Sequence, residues 1–239
     1  RDFISKRTRE IPPSGIRKFF DLVLTMEDVV SLGVGEPDFR TPWNICESSI
    51  YSIEQGTTTY TSNKGLQSLR DALSRHLAQY YQTQYSGDDE IIITTGVSEG
   101  LDIAIRAVTD PGDEILIAQP SYVSYGPCVN LAGGKAVPVM CTEKDHFKLN
   151  PDLLAEQITS KSKALIINFP NNPTGGVMGE SDLRAVADLI IDHDLLLISD
   201  EVYSELTYDK RHFSPAAISE LRERTITLNG FSKAYAMTG

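Results

Sequence analysis

Apolar positions recur along this chain in two rhythms, and the switches between them mark out its elements. Leu66, Leu69, Ala72, Leu73 and Leu77 fall at helical spacing and predict an amphipathic helix over 66–81. Ile91-Ile92-Ile93-Thr94 is short, apolar and β-branched and predicts a strand, with Gly96 and a helical pattern over 98–108 behind it. The turn Asp110-Pro111-Gly112-Asp113 leads into a second predicted strand over 114–118. Residues 135–139 read as an edge strand, because Pro138 cannot donate to a ladder. Further strands are predicted over 163–168, 194–199 and 225–229, with a helix over 181–193 that Ser181 caps.

These strand runs are continuously apolar rather than alternating, which fits a sheet covered on both faces. Their alternation with helices predicts an α/β fold with a doubly wound, mainly parallel sheet. Residues 1–45 lack the rhythm and carry Pro12-Pro13, Gly33, Gly35, Pro37 and Pro42. They read as an N-terminal arm and a connection into a domain over 46–239. The chain has no internal repeat and no low-complexity tract.

Composition narrows the classes of function. The chain has 239 residues, 41% hydrophobic and 23% charged, as in an ordinary soluble domain. A net charge of −11 argues against a nucleic-acid partner, whose phosphates call for basic residues. No apolar run reaches membrane-spanning length, and the start Arg1-Asp2-Phe3-Ile4-Ser5-Lys6-Arg7 lacks a signal-peptide core. Cys46, Cys128 and Cys141 are scattered and odd in number; they form no metal motif and no disulfide framework, and the expected compartment is the cytoplasm.

In an open α/β sheet, ligands sit beyond the carboxyl ends of the strands, so the residues there carry the chemistry. Gly96-Val97-Ser98 opens a helix, where free N–H groups and the helix dipole attract an anion; an ordinary cap by Ser98 is the plainer reading. Asn172 lies in Asn171-Asn172-Pro173-Thr174-Gly175-Gly176, plain turn chemistry that also offers an amide donor. Asp200 stands behind an aliphatic run, and a buried carboxylate there needs a cationic partner. At about 4 Å and an effective dielectric of 20, such a pair is worth roughly 4 kcal/mol before desolvation. That equals about 3 pKa units on a weakly basic ring nitrogen. Lys233 lies in the turn beyond the last predicted strand; it is either a solvated lysine or an amine that forms a Schiff base. Anion cradle, amide donor, buried acid and lysine together are what pyridoxal 5'-phosphate requires.

These residues resemble the class I/II aminotransferases of the aspartate aminotransferase superfamily, fold type I of the pyridoxal phosphate enzymes, over residues 11–239. The resemblance implies that Lys233 is the Schiff-base lysine, with Ser232 before it. It makes Asp200 the partner of the pyridinium nitrogen, and Asn172 and Tyr203 donors to the ring's phenolic oxygen. Gly96, Val97 and Ser98 fall on the phosphate-binding turn, and Tyr122 in Pro120-Ser121-Tyr122 on the aromatic residue that stacks on the ring. Tyr60, in Thr59-Tyr60-Thr61, matches a tyrosine that crosses a homodimer to the partner's cofactor phosphate. Gly33-Val34-Gly35-Glu36-Pro37-Asp38-Phe39 is similar to a substrate-binding segment, with Gly35 beside the substrate carboxylate; Tyr122 and Asn172 also face substrate. The stretch Ile11-Pro12-Pro13-Ser14-Gly15-Ile16-Arg17 resembles the microbial aromatic and aspartate aminotransferases.

The resemblance implies transfer of an amino group between an aromatic or acidic amino acid and a 2-oxo acid, with no metal. In the family the lysine motif continues to an arginine that clamps the phosphate, whereas this sequence stops at Gly239. The expected chain is therefore a large domain lacking its last strand and the C-terminal small domain, inactive alone, with an exposed sheet edge beside residues 225–229. A pyridoxal phosphate carbon–sulfur lyase is the rival enzyme; a non-catalytic aminotransferase-like module is the rival outside catalysis. A generic nucleotide-binding domain lacks support, since neither GxGxxG nor a P-loop occurs.

Overall fold

Apolar runs with both faces to bury can satisfy their backbones only by pairing with one another. In the computed structural model, which describes residues 2–13, 15, 22–23, 25–30 and 35–238, Glu114–Gln119 (β1), Lys135–Met140 (β2), Ser162–Asn168 (β3), Leu196–Asp200 (β4) and Thr225–Leu228 (β5) do so. They form a sheet in the order β2-β1-β3-β4-β5, and every pairing is parallel. Pro138 lies in β2 at one edge, as its missing N–H requires. β5 forms the other edge, paired to β4 alone among the described residues.

Alternate residues of each central strand enter two separate cores. Leu116, Ala118, Leu165, Ile167, Leu195 and Leu197 face one layer, and Ile115, Ile117, Ala164, Ile166 and Ile198 face the other. The first layer is closed by Pro151–Gln157, Glu180–Asp192 and Ser219–Arg222, through Leu154, Leu183, Val186, Ile190 and Leu221. The second is closed by Gly96–Val108 and Tyr125–Ala132, through Leu101, Ile105, Tyr125 and Val129. Each fully buried Leu or Ile contributes roughly 1.5–3 kcal/mol, so the two layers hold the sheet rigid from both sides. The fold is a doubly wound α/β sheet. In chain order the α-helices whose bounds fall wholly among the described residues are α1 (Lys6–Glu10), α2 (Trp43–Glu54), α3 (Gln67–Tyr81), α4 (Gly96–Val108), α5 (Tyr125–Ala132), α6 (Pro151–Gln157), α7 (Glu180–Asp192), α8 (Ser219–Arg222) and α9 (Phe231–Ala234).

Several boundaries differ from the sequence expectation. Among the described residues Ile91-Ile92-Ile93-Thr94 joins no ladder: the Ile93 N–H donates to the Lys64 carbonyl at 3.0 Å, and Ile92 is 59% exposed. β-Branched residues make a strand favourable, but only a neighbouring strand makes it one. Helix α4 starts at Gly96, whose φ of +72° suits glycine, so Ser98 lies inside the first turn and does not cap it. Helix α7 begins after Gly179, not after Ser181. The Asp182 carboxylate reaches back to the Gly179 N–H at 2.9 Å and is itself held by Lys148 at 2.9 Å, which fixes the earlier start. β4 extends one residue further than expected and takes in Asp200.

From β1 the chain passes through α5 to β2 on one side, then returns through α6 to β3 on the other side of β1. Strand order therefore reverses between β1 and β3, and a crevice opens beyond their carboxyl ends. Asn171 spans it, its side-chain amide donating to the Pro120 carbonyl at 3.1 Å.

Candidate active site

Asp200 ends β4 opposite Asn168, which ends β3, so parallel register alone brings the two to one rim. The Asn168 amide donates to the Asp200 backbone carbonyl at 2.9 Å, and its side-chain oxygen accepts the Asn172 N–H at 2.9 Å. Through this one buried side chain the strand end and the Asn172 loop hold a common position. Asn172 in turn donates to the Tyr203 hydroxyl at 3.4 Å.

The Asp200 carboxylate is 5% exposed and accepts two hydrogen bonds, from the Tyr125 hydroxyl at 2.6 Å and from the Val202 N–H at 3.2 Å. Burial raises its pKa above the ordinary carboxylate value, the two donors pull it down, and neighbouring Glu201 adds to the rise. Among the described residues no cation acts on it. A carboxylate this buried is costly to ionise without a positive partner, so the site is electrostatically short of one cationic N–H. Burial and Asp200 likewise raise Tyr125, which keeps it a donor.

Lys233 lies in α9, just beyond β5, and its amine donates to the Gly35 carbonyl. A methyl group added at Gly35 would stand 3.6 Å from the Tyr203 hydroxyl, so Lys233, Gly35, Tyr203 and Asn172 form one run of neighbouring groups. Tyr122 packs edge-on against Tyr125, with ring centroids 5.8 Å apart, and so joins the Asp200 group. Val97 in the first turn of α4 meets the same region: a Cβ at Gly230 would lie 3.3 Å from its side chain. The Gly96 N–H donates to the Thr94 carbonyl at 2.8 Å, while the amides of Val97 and Ser98 in this first turn have no carbonyl four residues back within the helix. Ser232 sits next to Lys233 in α9.

Not every predicted residue joins this cluster. Tyr60 is fully exposed, away from these contacts. Gly33 and Val34 lie outside the described residues, as do Ser14, Ile16 and Arg17 of the early segment. Two residues of the cluster were not singled out from the sequence: Tyr125 and Asn168. Each carried a signal. A tyrosine three residues after Tyr122 at a helix start, once buried, must find a partner for its hydroxyl. An asparagine closing the run Ala164-Leu165-Ile166-Ile167 must likewise bond to something. Among the described residues no three His, Cys, Asp or Glu side chains gather to hold a metal ion, and no helix is long and apolar enough to cross a membrane.

The donor set fits pyridoxal phosphate: a buried acid lacking a cation, donors at Tyr203 and Asn172, a lysine amine and a helix start with first-turn amides at Val97 and Ser98. Comparison with known proteins gives the same direction. The family model "Aminotransferase class I and II" matches residues 27–239. The aspartate aminotransferase of Pyrococcus abyssi is 45% identical over 99% of this chain and 61% of its own length. Aromatic-amino-acid aminotransferase 2 of Thermococcus litoralis is 42% identical over 99% of this chain and 61% of its own. The structure of Thermus thermophilus aspartate aminotransferase with maleate superposes with a TM-score of 0.93 at 37% identity, covering 100% of this chain and 63% of that one. The chain thus spans about three-fifths of the length of these relatives.

Proposed function

The chain belongs to the aminotransferase class I and II family, and on that premise we propose that the whole protein moves an amino group between an amino acid and a 2-oxo acid with pyridoxal phosphate held at this site. The observation that carries the proposal is the buried Asp200 carboxylate with no cation beside it among the described residues. Pyridoxal phosphate, when bound, supplies an aldehyde that an amine can capture and a ring that withdraws electrons from the bond being broken.

The chain's own residues divide the remaining work. Lys233 would offer the amine for the aldehyde and, once freed by substrate, would take the proton from the substrate α-carbon as general base and deliver it to the carbon that bore the aldehyde. Asp200 keeps the ring nitrogen protonated by charge, and Tyr125 holds the accepting oxygen in place. Tyr203 and Asn172, already in contact, donate to the ring oxygen. Tyr122 covers the ring face, and Gly96, Val97 and Ser98 with Ser232 receive the phosphate. Gly35 lies alongside the substrate carboxylate.

Relatives named for aspartate and for aromatic amino acids support an acidic or aromatic amino donor. Tyr60, together with exposed Trp43, Tyr51 and Ile53 on α2, suits a homodimer in which Tyr60 crosses to the partner's phosphate. Three free thiols suit the cytoplasm. Residues 1–45 serve as arm and connection, and residues 46–239 as the cofactor-binding part, inactive without the rest. The test is to load the whole protein with pyridoxal phosphate and add single amino acids. Conversion of its visible absorbance to that of the pyridoxamine form by aspartate or an aromatic amino acid, restored by a 2-oxo acid, is expected. Release of pyruvate and ammonia with no oxo-acid acceptor would refute transamination.

A further inference from the structure

Glu201 is buried directly behind Asp200, at 1% exposure, yet the reaction gives it no task. Its side chain is fully engaged: one oxygen lies 2.7 Å from His212 Nε2, and the other accepts the Ser214 hydroxyl at 2.9 Å. Its backbone is equally committed. The Glu201 N–H donates to the carbonyl of Leu228, the last residue of β5, at 2.8 Å, and its carbonyl accepts the Ser204 N–H at 2.9 Å. The Ser204 hydroxyl accepts the Asn229 amide at 3.2 Å, and the Asn229 side-chain oxygen accepts the Gly230 N–H at 2.7 Å, one residue before α9. A hydrogen-bonded path therefore runs from His212 through Glu201, Ser204 and Asn229 to the helix that carries Lys233. Tyr81 of α3 closes the cluster, its ring edge-on to His212 at 5.8 Å and its hydroxyl 3.0 Å from Ser204 Oγ.

We propose that the Glu201–His212 pair is a positioning device that holds the segment bearing Asp200 and Tyr203 in register with the segment bearing Lys233. The proposal rests on the pyridoxal phosphate reading of the site. Residues 202–213 form a long excursion between β4 and the turn at Pro215, and Tyr203 opens it. His212 and Ser214 at its far end bond back to the residue that precedes it, so the loop is closed at its base. A loop tied at its base has few ways to shift Tyr203, and the Ser204–Asn229 bond passes the same constraint to Lys233. Burial raises Asp200, Tyr81 and Tyr85, and Glu201 lies close enough to add to each rise.

The experiment compares His212→Ala with His212→Gln, whose amide can still donate to Glu201, in the whole protein. Without cofactor, hydrogen–deuterium exchange in His212→Ala should rise about tenfold in both 202–214 and 229–233 while α7 stays protected, and His212→Gln should recover most of it. With cofactor, kcat should fall about tenfold with KM changed less than about threefold, again recovered by glutamine. A folded His212→Ala protein that loosens only 202–214, or that keeps wild-type kcat, overturns the proposal. If His212→Ala does not fold, Ser214→Ala replaces it, with coupled loosening of both segments expected and an unchanged 229–233 overturning the idea. The exchange readout needs no cofactor, so failure of the pyridoxal reading, tested at Lys233, is distinguishable from failure of the clamp.

Discussion

Tyr125→Phe removes one oxygen from the centre of the site and leaves the packing volume in place, since Tyr125 is 1% exposed and phenylalanine fills the same space. The lost hydroxyl donates to Asp200 at 2.6 Å. A hydrogen bond to a charged group is worth about 1.5–3 kcal/mol. At 1.36 kcal/mol per pKa unit, losing it pushes the Asp200 carboxyl up by about one to two further units. The sign of the pH dependence follows. Burial already raises Asp200 above its unfolded value, so the cofactor-free native state holds a proton that the unfolded chain has released. Stability from this group is full below the ordinary carboxylate range and is lost as pH rises through the raised native value. The variant deepens that loss, and only where Asp200 is ionised. The melting temperature of cofactor-free Tyr125→Phe should therefore match wild type at acid pH and fall behind it as pH rises. At 2–4 °C per kcal/mol for a protein of this size, the gap should reach about 3–12 °C. Melting curves across pH measure it directly. A gap that stays constant with pH, or narrows as pH rises, refutes the coupling between Tyr125 and ionised Asp200.

Asp200→Asn removes the charge whose pairing with a ring nitrogen is worth roughly 4 kcal/mol, so kcat should fall about 10³-fold. The same change relieves an uncompensated buried carboxylate, so the cofactor-free variant should melt higher than wild type; lower melting with intact turnover would contradict both halves. Asn168→Leu strands the Asp200 carbonyl and the Asn172 N–H. It should cost at least about 2 kcal/mol in denaturant unfolding, and a variant within a few tenths of wild type would contradict the bracketing role. Cys141 is buried, and burial pushes its thiol up to about 11. At pH 8 it should resist iodoacetamide in the native protein and react on unfolding, which peptide mapping would show.

The sheet was legible wherever a strand carries its own reason to be buried. Runs such as Leu165-Ile166-Ile167 and Leu195-Leu196-Leu197-Ile198 cannot face water, and Pro138 marks the only place β2 could go. Ile91-Ile92-Ile93-Thr94 has the same composition and pairs with no strand among the described residues, because pairing depends on a neighbour that local sequence does not encode. The site divides in the same way. Asp200, Asn172 and Lys233 stand at strand ends, where position alone suggests chemistry, whereas Tyr203 entered through the family resemblance. Tyr125 and Asn168 act through contacts made 75 and 32 residues away in sequence, which only the packing of a helix on the sheet and the parallel register bring together. The His212–Glu201 pair was invisible for that reason as well: a histidine in a polar loop gives no sign that the loop folds back onto its own base.

The central claim is that Lys233 is the amine that takes up the cofactor. The most direct measurement is to load the whole protein with pyridoxal phosphate, reduce with borohydride, digest, and locate the phosphopyridoxyl group by mass spectrometry. The expected result is one modified peptide, carrying the group on Lys233, and none in Lys233→Ala. Modification concentrated on another lysine, or undiminished labelling and visible absorbance in Lys233→Ala, would contradict the account.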